Sequence, residues 1–438
     1  MISGDTIVAI ATAPGRGGVA VVRVSGSEAF SVAERLTGKV GIGRSRQASV
    51  SVGPIYSTPT DACRSQSKPI DEAVILFFKS PHSYTGEDVV EFQCHGGTVT
   101  PRRVLEACLA AGARLAHRGE FTERAFLNGK LDYTQAESVL DLIDAKTPRA
   151  ADAALEGLSG RRRRECRALY ESALDLSTRL EHALDVDEGE LPVGFADELR
   201  VASCELRVKI EDAIRKAAEG RLLQRGAQVV LAGPPNAGKS SLMNALLEEN
   251  RAIVSETPGT TRDSIEAWID LDGWPIRLVD TAGLREGADD IEREGVKRSE
   301  DLIAKADVVV GLGSLEGLGS LEGRLIAIHA KSDIGRGKGL NVSSKTGEGL
   351  DELKRAIVAK LEEKIAVSDS GDIPEGDIAV YHEALALIPH PSSLIPQDDL
   401  VLLANAVRAA AERLGAALGV TYSSDLLDKL FSRFCVGK

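Results

Sequence analysis

The sequence predicts a multidomain α/β protein. It has an N-terminal α+β block, a helical block built from two separated chain segments, and a doubly wound α/β domain inserted between those segments. Three observations predict this layout. Residues 1–118 carry short, β-branched apolar runs bounded by Gly and Pro. From about Phe121, and again over residues 366–438, apolar residues recur at helical spacing. Between the two helical stretches, strand-length apolar runs alternate with helical patterns.

In the first block, "IVAIA", "GVAVVRVSG", "AVILFF" and "DVVEFQCHGG" read as strands, and clusters such as "TAPGRGG" read as turns. In the helical block, Leu169, Ala173, Leu176, Leu180 and Leu184 line one face, and Leu199, Leu206, Ile210 and Ile214 continue a similar pattern. Leu400, Leu403, Ala404, Val407, Ala411 and Leu414 form a stripe near the end of the chain. Neither helical stretch can bury its apolar face alone. The two are predicted to pack on each other, which makes the segment between them an insertion. In that insertion "QVVLAG", "IRLVDTAG", "ADVVVGL" and "RLIAIHAK" are each followed by Gly or a polar turn, as in a parallel sheet covered on both faces. "GLGSLEGLGSLEG" is a short duplication that reads as a shortened loop. The expected boundaries are 1–118, then 119–221 with 366–438, and 222–365 for the insertion.

Composition agrees with this division. The chain has 438 residues, which at about 150 residues per domain suggests three domains. Hydrophobic content is 43% but aromatics are only 4%, so the cores should be aliphatic. A net charge of -13 argues against a generally basic nucleic-acid coat and leaves room for a local basic groove. No apolar run approaches the roughly 20 residues needed to span a bilayer, and "MISGDTIVAIATAPGRGG" lacks the pattern of a secretory leader. The six cysteines include no C-x-x-C pair, which fits reduced thiols and argues against a zinc site or disulfide framework. A cytoplasmic protein with no membrane partner is the expectation.

The inserted domain carries the chemistry. "GPPNAGKS", Gly233 to Ser240, fits G-x-x-x-x-G-K-[ST] between a strand and a helix. Its glycines let backbone N–H groups close around phosphate oxygens at a helix N-terminus, where the dipole favours anions. Lys239 would reach the β- and γ-phosphates and Ser240 would bind Mg²⁺. "GTTRD", Gly259 to Asp263, supplies a switch threonine, and "DTAG", Asp280 to Gly283, places an Asp for Mg²⁺ and a Gly for the γ-phosphate. "AKSD", Ala330 to Asp333, follows a later strand, where Asp333 can accept hydrogen bonds from guanine. "VSSKTG" then brings Ser343, Ser344 and Lys345 to the base. The order resembles the translation-factor-like GTPases, which usually have Asn where this chain has Ala330. That change is expected to loosen the base loop and weaken affinity.

The position after Asp-x-x-Gly is Leu284, which cannot orient an attacking water as a Gln does. Asn236, inside the phosphate loop, can instead help hold a monovalent cation against the phosphates. Glu292 is either a group that orients water or a solvated carboxylate of the switch segment.

Taken along its full length, the chain resembles the MnmE (TrmE) family of tRNA uridine-modification GTPases, of the TrmE-Era-EngA type. The resemblance rests on "DTIVAIATAPGRGGVAVVRVSG", "SYTGEDVVEFQCHGG", "GEFTERAFLNGKLDYTQAE", "PNAGKSSLMNAL", "TPGTTRD" and the closing "FCVGK". It implies an N-terminal α+β domain of folate-binding type that dimerises, a discontinuous helical domain and an inserted Ras-like G domain. It implies nucleotide contacts from Asn236, Ala237, Gly238, Lys239, Ser240 and Ser241, then Ser255, Glu256, Thr257, Pro258, Gly259, Thr260 and Thr261. Further contacts follow from Asp280, Thr281, Ala282, Gly283, Lys331, Asp333, Ser343, Ser344 and Lys345. Mg²⁺ would sit on Ser240 and Thr261, and K⁺ on Asn236, Ser255, Thr257 and Thr260. Glu292 falls at the family's catalytic glutamate. A 5-formyl- or methylene-tetrahydrofolate would meet Arg23, Glu91, Lys130 and Lys438. The implied partners are GTP/GDP, tRNA, a second copy of the chain and an FAD-dependent MnmG (GidA) type flavoprotein. The implied product carries an aminomethyl-type group at carbon 5 of the wobble uridine. An Era- or Der-like ribosome-assembly switch is the rival reading, and it lacks the folate-type N-domain and "FCVGK".

The tail "RFCVGK" admits three readings: a lipidation signal, a catalytic hook, or Phe434 and Cys435 plugging a core. A final Lys does not suit lipidation. The resemblance leaves Cys435 either catalytic near the folate or a buried structural thiol. Arg161 to Arg164 read either as phosphate contacts to tRNA or, in part, as a solvated helix face. Arg23 and Lys130 read equally as salt-bridge partners, Glu91 as an outward strand residue, and His95 as a core or turn histidine.

Overall fold

A computed structural model of the chain describes residues 4–38, 48–57, 68–185, 194–249, 266–281, 300–313, 323–337, 339–366, 377–389, 399–418, 431, 434–435 and 437. Packing divides it into two units, residues 1–140 with 421–438, and residues 141–420.

The first unit is built on strands β1 (Ile7–Ile10), β2 (Val19–Ser25), β3 (Ala48–Tyr56), β4 (Pro69–Phe78), β5 (Val89–His95) and β6 (Arg114–Leu115). They form one sheet in the order β3-β4-β5-β2-β1-β6, antiparallel except for the β1–β6 pair. Helices α1 (Ala29–Thr37) and α2 (Thr100–Ala110) supply the other half of the core. Alternation decides which side chains they cover. Val90, Phe92 and Cys94 of β5 point into a cluster with Phe30, Leu36 and Val104, while Glu91, Gln93 and His95 alternate with them. Helices α3 (Glu120–Leu127) and α4 (Tyr133–Asp144) follow.

The C-terminal residues belong to this unit. Phe431 and Phe434 pack with Ala136 and Leu140, and Phe434 is 1% exposed. Gly437 has φ of +108°, and a Cβ there would lie 2.4 Å from the Ile10 carbonyl oxygen, so the "VGK" glycine is required by close backbone approach. Phe434 therefore plugs the core as the sequence suggests, but Cys435 is exposed, which corrects the reading of a buried thiol. Its backbone points inward instead: the Cys435 carbonyl accepts from Gly119 N at 3.4 Å.

The second unit opens with α5 (Pro148–Leu158), α6 (Arg161–Asp185) and α7 (Phe195–Arg225). Thr147 caps α5 by accepting from Ala150 N, and Pro148 sits at the first turn, where a missing N–H costs nothing. The chain then enters β7 (Ala227–Ala232), α8 (Lys239–Glu249), β8 (Glu266–Leu271), β9 (Trp274–Asp280), β10 (Val308–Leu312), β11 (Leu325–Ala330), β12 (Leu340–Val342) and α9 (Leu350–Ala366). Helices α10 (Asp377–Leu387) and α11 (Asp399–Leu418) complete it. The six strands order as β12-β11-β10-β7-β9-β8, parallel except for β8, which runs antiparallel to β9 on the edge.

Helices α6, α7, α10 and α11 share one core, from Leu169, Leu176 and Leu180 to Leu199, Ile210, Tyr381, Val407 and Leu414. The segments before and after the sheet domain do pack on each other. One residue of the predicted face departs from it: Leu184 is 41% exposed, because Ala183 takes the buried position near the end of α6. Thr147 Oγ1 also donates to the Gly273 carbonyl at 2.8 Å, and the Arg149 guanidinium lies 4.1 Å from the centre of the Trp274 ring, tying α5 to the β8–β9 turn.

Candidate nucleotide site

Strand order assembles the site. In the register of β7 with β9, Leu231 stands opposite Asp280, so the loop after β7 and the end of β9 emerge side by side at the carboxyl edge of the sheet. Gly233 opens that loop with φ of +152°, and a Cβ there would come within 2.6 Å of the Leu312 carbonyl. Only glycine lets the loop turn so close to β10. Lys239 is 4% exposed, and its ammonium donates to the Gly233 and Pro234 carbonyls at 3.0 and 2.9 Å, arching over the loop. Asn236, at the crest, is exposed and left-handed with φ of +60°. Ala237 and Gly238 follow, partly buried, and Ser241 faces outward.

Ser240 Oγ donates to Asp280 Oδ2 at 2.5 Å. Two hard oxygen donors from two elements therefore meet at one point beside the loop. That donor set suits Mg²⁺, which takes one or two protein oxygens and keeps several waters. Among the described residues no group of three or more His, Cys, Asp or Glu forms a separate metal cluster. Thr281, 5% exposed, donates to the Leu231 carbonyl at 2.9 Å and so locks the end of β9 to β7.

The second half of the site comes from β11 and β12. Lys331 has φ of +65°, and its ammonium donates to the Asn236 carbonyl at 3.1 Å, bridging the base loop to the phosphate loop. Asp333 is exposed and accepts from Ser343 Oγ at 2.9 Å. Ser343 itself is fully buried. Ser344 is partly buried and Lys345 exposed. Glu348, absent from the sequence reading, holds the loop by accepting from Ser332 Oγ at 3.0 Å and from Arg336 at 2.7 Å. The signal was present in "SSKTGEG", where an acidic residue closes the turn. A cavity of about 40 Å³ lies between the two loops, lined by Ala330, Lys331, Gly238, Leu242, Ile328 and Val342 among others. Ser255, Glu256, Thr257, Pro258, Gly259, Thr260, Thr261, Ala282, Gly283, Leu284, Glu292 and Lys438 lie outside the described residues.

In the first unit, Arg23 and Glu91 are cross-strand neighbours on β2 and β5 and form an ion pair of 2.8 Å. The Arg23 guanidinium also lies 5.6 Å from the Tyr84 ring centre and 5.7 Å from that of Phe121. Lys130 reaches the Pro81 carbonyl at 3.1 Å. Sequence reasoning missed the network beside them. Arg124 is 8% exposed in its side chain and pairs with Asp5, Glu87 and Glu120, and Arg114 joins Asp5 and Glu120. Burial pushes the Glu120 carboxyl up, but its bonds from Arg114, from His117 N and from Arg124 outweigh that and hold it below its ordinary value. The Glu120–Arg124 spacing of four within "GEFTER" was the available sign. His95 is exposed and its Nδ1 sits 2.8 Å from Asp71, so the core reading for it is set aside. Arg161 pairs with Glu156 and Glu165, Arg162 lies near Asp141, and Arg164 donates to the Ser159 carbonyl. These three arginines order the start of α6.

Residues 6–130 match the family model described as the N-terminus of the GTP-binding protein TrmE, and residues 133–435 match that of the MnmE helical domain. The chain belongs to the MnmE family. Its curated relatives include the tRNA modification GTPase MnmE of Symbiobacterium thermophilum, 40% identical over 465 residues and covering 99% of both chains. The tRNA modification GTPase MnmE of Dichelobacter nodosus is 40% identical over 465 residues and covers 100% of both. Among solved structures, the G domain of the T. maritima FeoB iron transporter aligns at 28% identity with a TM-score of 0.23, covering 31% of this chain and 98% of that one. Family membership along the whole chain sets aside an Era- or Der-like factor. Among the described residues no helix is long and apolar enough to cross a membrane.

Proposed function

We propose that this MnmE-family chain is a K⁺-dependent GTP hydrolase that modifies carbon 5 of the wobble uridine of certain tRNAs. It would act with an MnmG-type flavoprotein and a folate one-carbon unit. The observation that carries the nucleotide half is the convergence of Lys239, the Ser240–Asp280 pair and the Ser343–Asp333 pair at one sheet edge. Lys239 and the loop N–H groups would neutralise phosphate charge, Ser240 and Thr261 would hold Mg²⁺ with Asp280 reaching it through water, and Asp333 would accept hydrogen bonds from guanine. Mg²⁺, when bound, neutralises charge developing on the phosphates. Asn236, with Ser255, Thr257 and Thr260, supplies oxygens for K⁺, whose charge takes the place of an arginine finger. Glu292 orients the attacking water.

The remaining assignments belong to the same proposal. Arg23, Glu91, Lys130 and Lys438 meet the folate, and Cys435 lies in the tail that reaches it. The chain works in the cytoplasm as a homodimer. Residues 1–118 would form the folate-binding domain, 119–221 with 366–438 the helical domain and 222–365 the G domain, with residues 119–140 and 421–438 packing in the N-terminal unit. GTP turnover measured in KCl and in NaCl tests the cation: faster turnover in K⁺ is expected, and equal rates overturn it. Nucleoside analysis of tRNA incubated with the chain, the flavoprotein, folate and GTP tests the reaction. Absence of any uridine altered at carbon 5 overturns it.

A further inference from the structure

Glu348, which closes the turn after β12, meets the surroundings of the Asp333 carboxylate from two directions. Asp333 lies in the exposed loop after β11, which is entered through Lys331 in a left-handed conformation that a non-glycine residue seldom adopts. Such a loop needs ties. The Glu348 carboxylate supplies two, one on each side of Asp333: Oε2 accepts from Ser332 Oγ at 3.0 Å, and Oε1 accepts from Arg336 at 2.7 Å.

The main chain of the same residue holds the other neighbour of Asp333. Ser343 Oγ donates to Asp333 Oδ1 at 2.9 Å, and Ser343 N donates to the Glu348 carbonyl at 2.9 Å. Gly349 has φ of +78°, and a Cβ there would collide with the Asn341 carbonyl oxygen, so the chain passes tightly against β12 directly after Glu348. The two ties of the carboxylate are unequal. Arg336 is 75% exposed in its side chain, and so wet an ion pair contributes little. Ser332 is buried, and its hydroxyl donates to a carboxylate, which is the stronger kind of hydrogen bond.

We infer that Glu348 is a positioning residue for base selection: through Ser332 on one side and Ser343 on the other, it sets the Asp333 carboxylate for the N1–H and 2-amino edge of guanine. This rests on the guanine reading of the site. A carboxylate accepts well only from donors that meet its oxygens in line, so releasing the loop from Glu348 costs discrimination between bases. The phosphate side is held through other contacts, those of Lys239 with the loop carbonyls and of Ser240 with Asp280. The effect therefore falls on recognition of the base and not on turnover of bound nucleotide.

Calorimetric titration of the full chain with GDP and with inosine diphosphate, which lacks only the 2-amino group, tests it. The wild-type chain is expected to prefer GDP by about tenfold or more, the scale of a hydrogen bond to a charged group. Glu348→Ala should bring that preference to within about threefold, and should raise the KM for GTP by about tenfold while kcat stays within about twofold of wild type. Glu348→Gln keeps an acceptor for Ser332 Oγ and should keep the wild-type preference. Ser332→Ala should narrow the preference as Glu348→Ala does, and the double variant should be no worse than either single one. A smaller folded fraction would reduce both titrations alike and leave the ratio of affinities untouched, so a falling ratio reports on Asp333. An unchanged ratio in Glu348→Ala and Ser332→Ala overturns the inference alone. Equal binding of GDP and inosine diphosphate by the wild-type chain overturns the guanine reading and the inference with it. Should Glu348→Ala not fold, Ser332→Ala decides.

Discussion

Arg225 and Asp307 meet at 2.6 Å, and that contact fixes the residue before β10 to the end of the helix that leads into the sheet domain. Arg225 is the last residue of α7, and Asp307 directly precedes β10. Lys364, near the end of α9, donates to the same Asp307 oxygen at 2.7 Å. The chain enters the sheet domain past Arg225 and leaves it past Lys364, so one carboxylate holds both crossings. Gln228 N donates to the other oxygen at 2.8 Å. An inserted domain needs its two connections held close together, and Asp307, fully buried in its side chain, supplies that hold.

Asp307→Ala should destabilise the second unit. Arg225 and Lys364 are 45% and 39% exposed in their side chains and can return to water, so the loss is not that of a buried charge left alone. What remains is a half-buried Gln228 N–H without its acceptor and two connections without their tie. The expected cost is about 1–3 kcal/mol, read as a lower denaturant midpoint with an unchanged slope. No shift of the midpoint would refute the role.

Acid should act through the same residue. Burial pushes the Asp307 carboxyl up, but the Arg225 charge and the Lys364 and Arg225 hydrogen bonds outweigh it, and the net direction is downward. A carboxyl with a lowered folded pKa contributes stability that is complete above its unfolded value. That contribution is lost as pH falls through the folded value. Stability of the wild-type chain should therefore fall steeply below the ordinary carboxylate range, and Asp307→Asn should flatten that limb. Asp5, Glu120, Asp71 and Asp212 are also lowered, so only the difference between the two chains reports on Asp307. Parallel acid curves for the two chains would count against it.

Much of this was legible in the sequence, for reasons that differ by region. The phosphate loop could be read because Gly233, Lys239 and Ser240 are forced by backbone geometry and phosphate chemistry, which leave few alternatives. The helix faces could be read because Leu176, Leu180, Leu206 and Ile210 repeat at the helical period. The edge strands could not. Val50 and Val52 of β3 are 65% and 60% exposed, so β3 shows no inward apolar signal along half its length. The Asp307 tie was hidden because its cationic partners stand 57 and 82 residues away in sequence, and the Arg124 network showed only its Glu120 member, since Glu87 and Asp5 stand 37 and 119 residues away. The buried role of Ser343 was hidden for a related reason, since a motif names residue types but not which of them points inward.

Lys239→Ala and Ser240→Ala should separate two functions of one loop. Lys239 is held by two carbonyls over the phosphate position, so its loss should weaken GTP binding and lower turnover by about a hundredfold or more. Ser240 touches Asp280, so its loss should raise the Mg²⁺ concentration needed for half-maximal turnover while GDP binding without metal changes little. Steady-state hydrolysis across a Mg²⁺ series, with calorimetry for GDP, distinguishes them. Identical Mg²⁺ requirements for wild type and Ser240→Ala would show that the pair does not hold the metal.

The tail gives a last, independent test of the first unit. Phe434 is 1% exposed and packs with Phe431 at a ring separation of 6.1 Å, whereas its neighbour Cys435 is exposed. Cys94, Cys108 and Cys166 are buried, and burial pushes the Cys94 thiol up to about 11 and raises that of Cys108 as well. A thiol must be accessible and deprotonated to react. Under native conditions near neutral pH, a maleimide or aromatic disulfide reagent should modify Cys435 well before those three, with peptide mapping to assign the site. Phe434→Ala should remove packing worth about 3–5 kcal/mol and release the tail. The same reagent should then reach Cys94 and Cys108 at lower denaturant than in the wild-type chain. Protection of Cys435 in the native chain, or no change in Cys94 and Cys108 on truncating Phe434, would mean that the tail does not sit as these contacts place it.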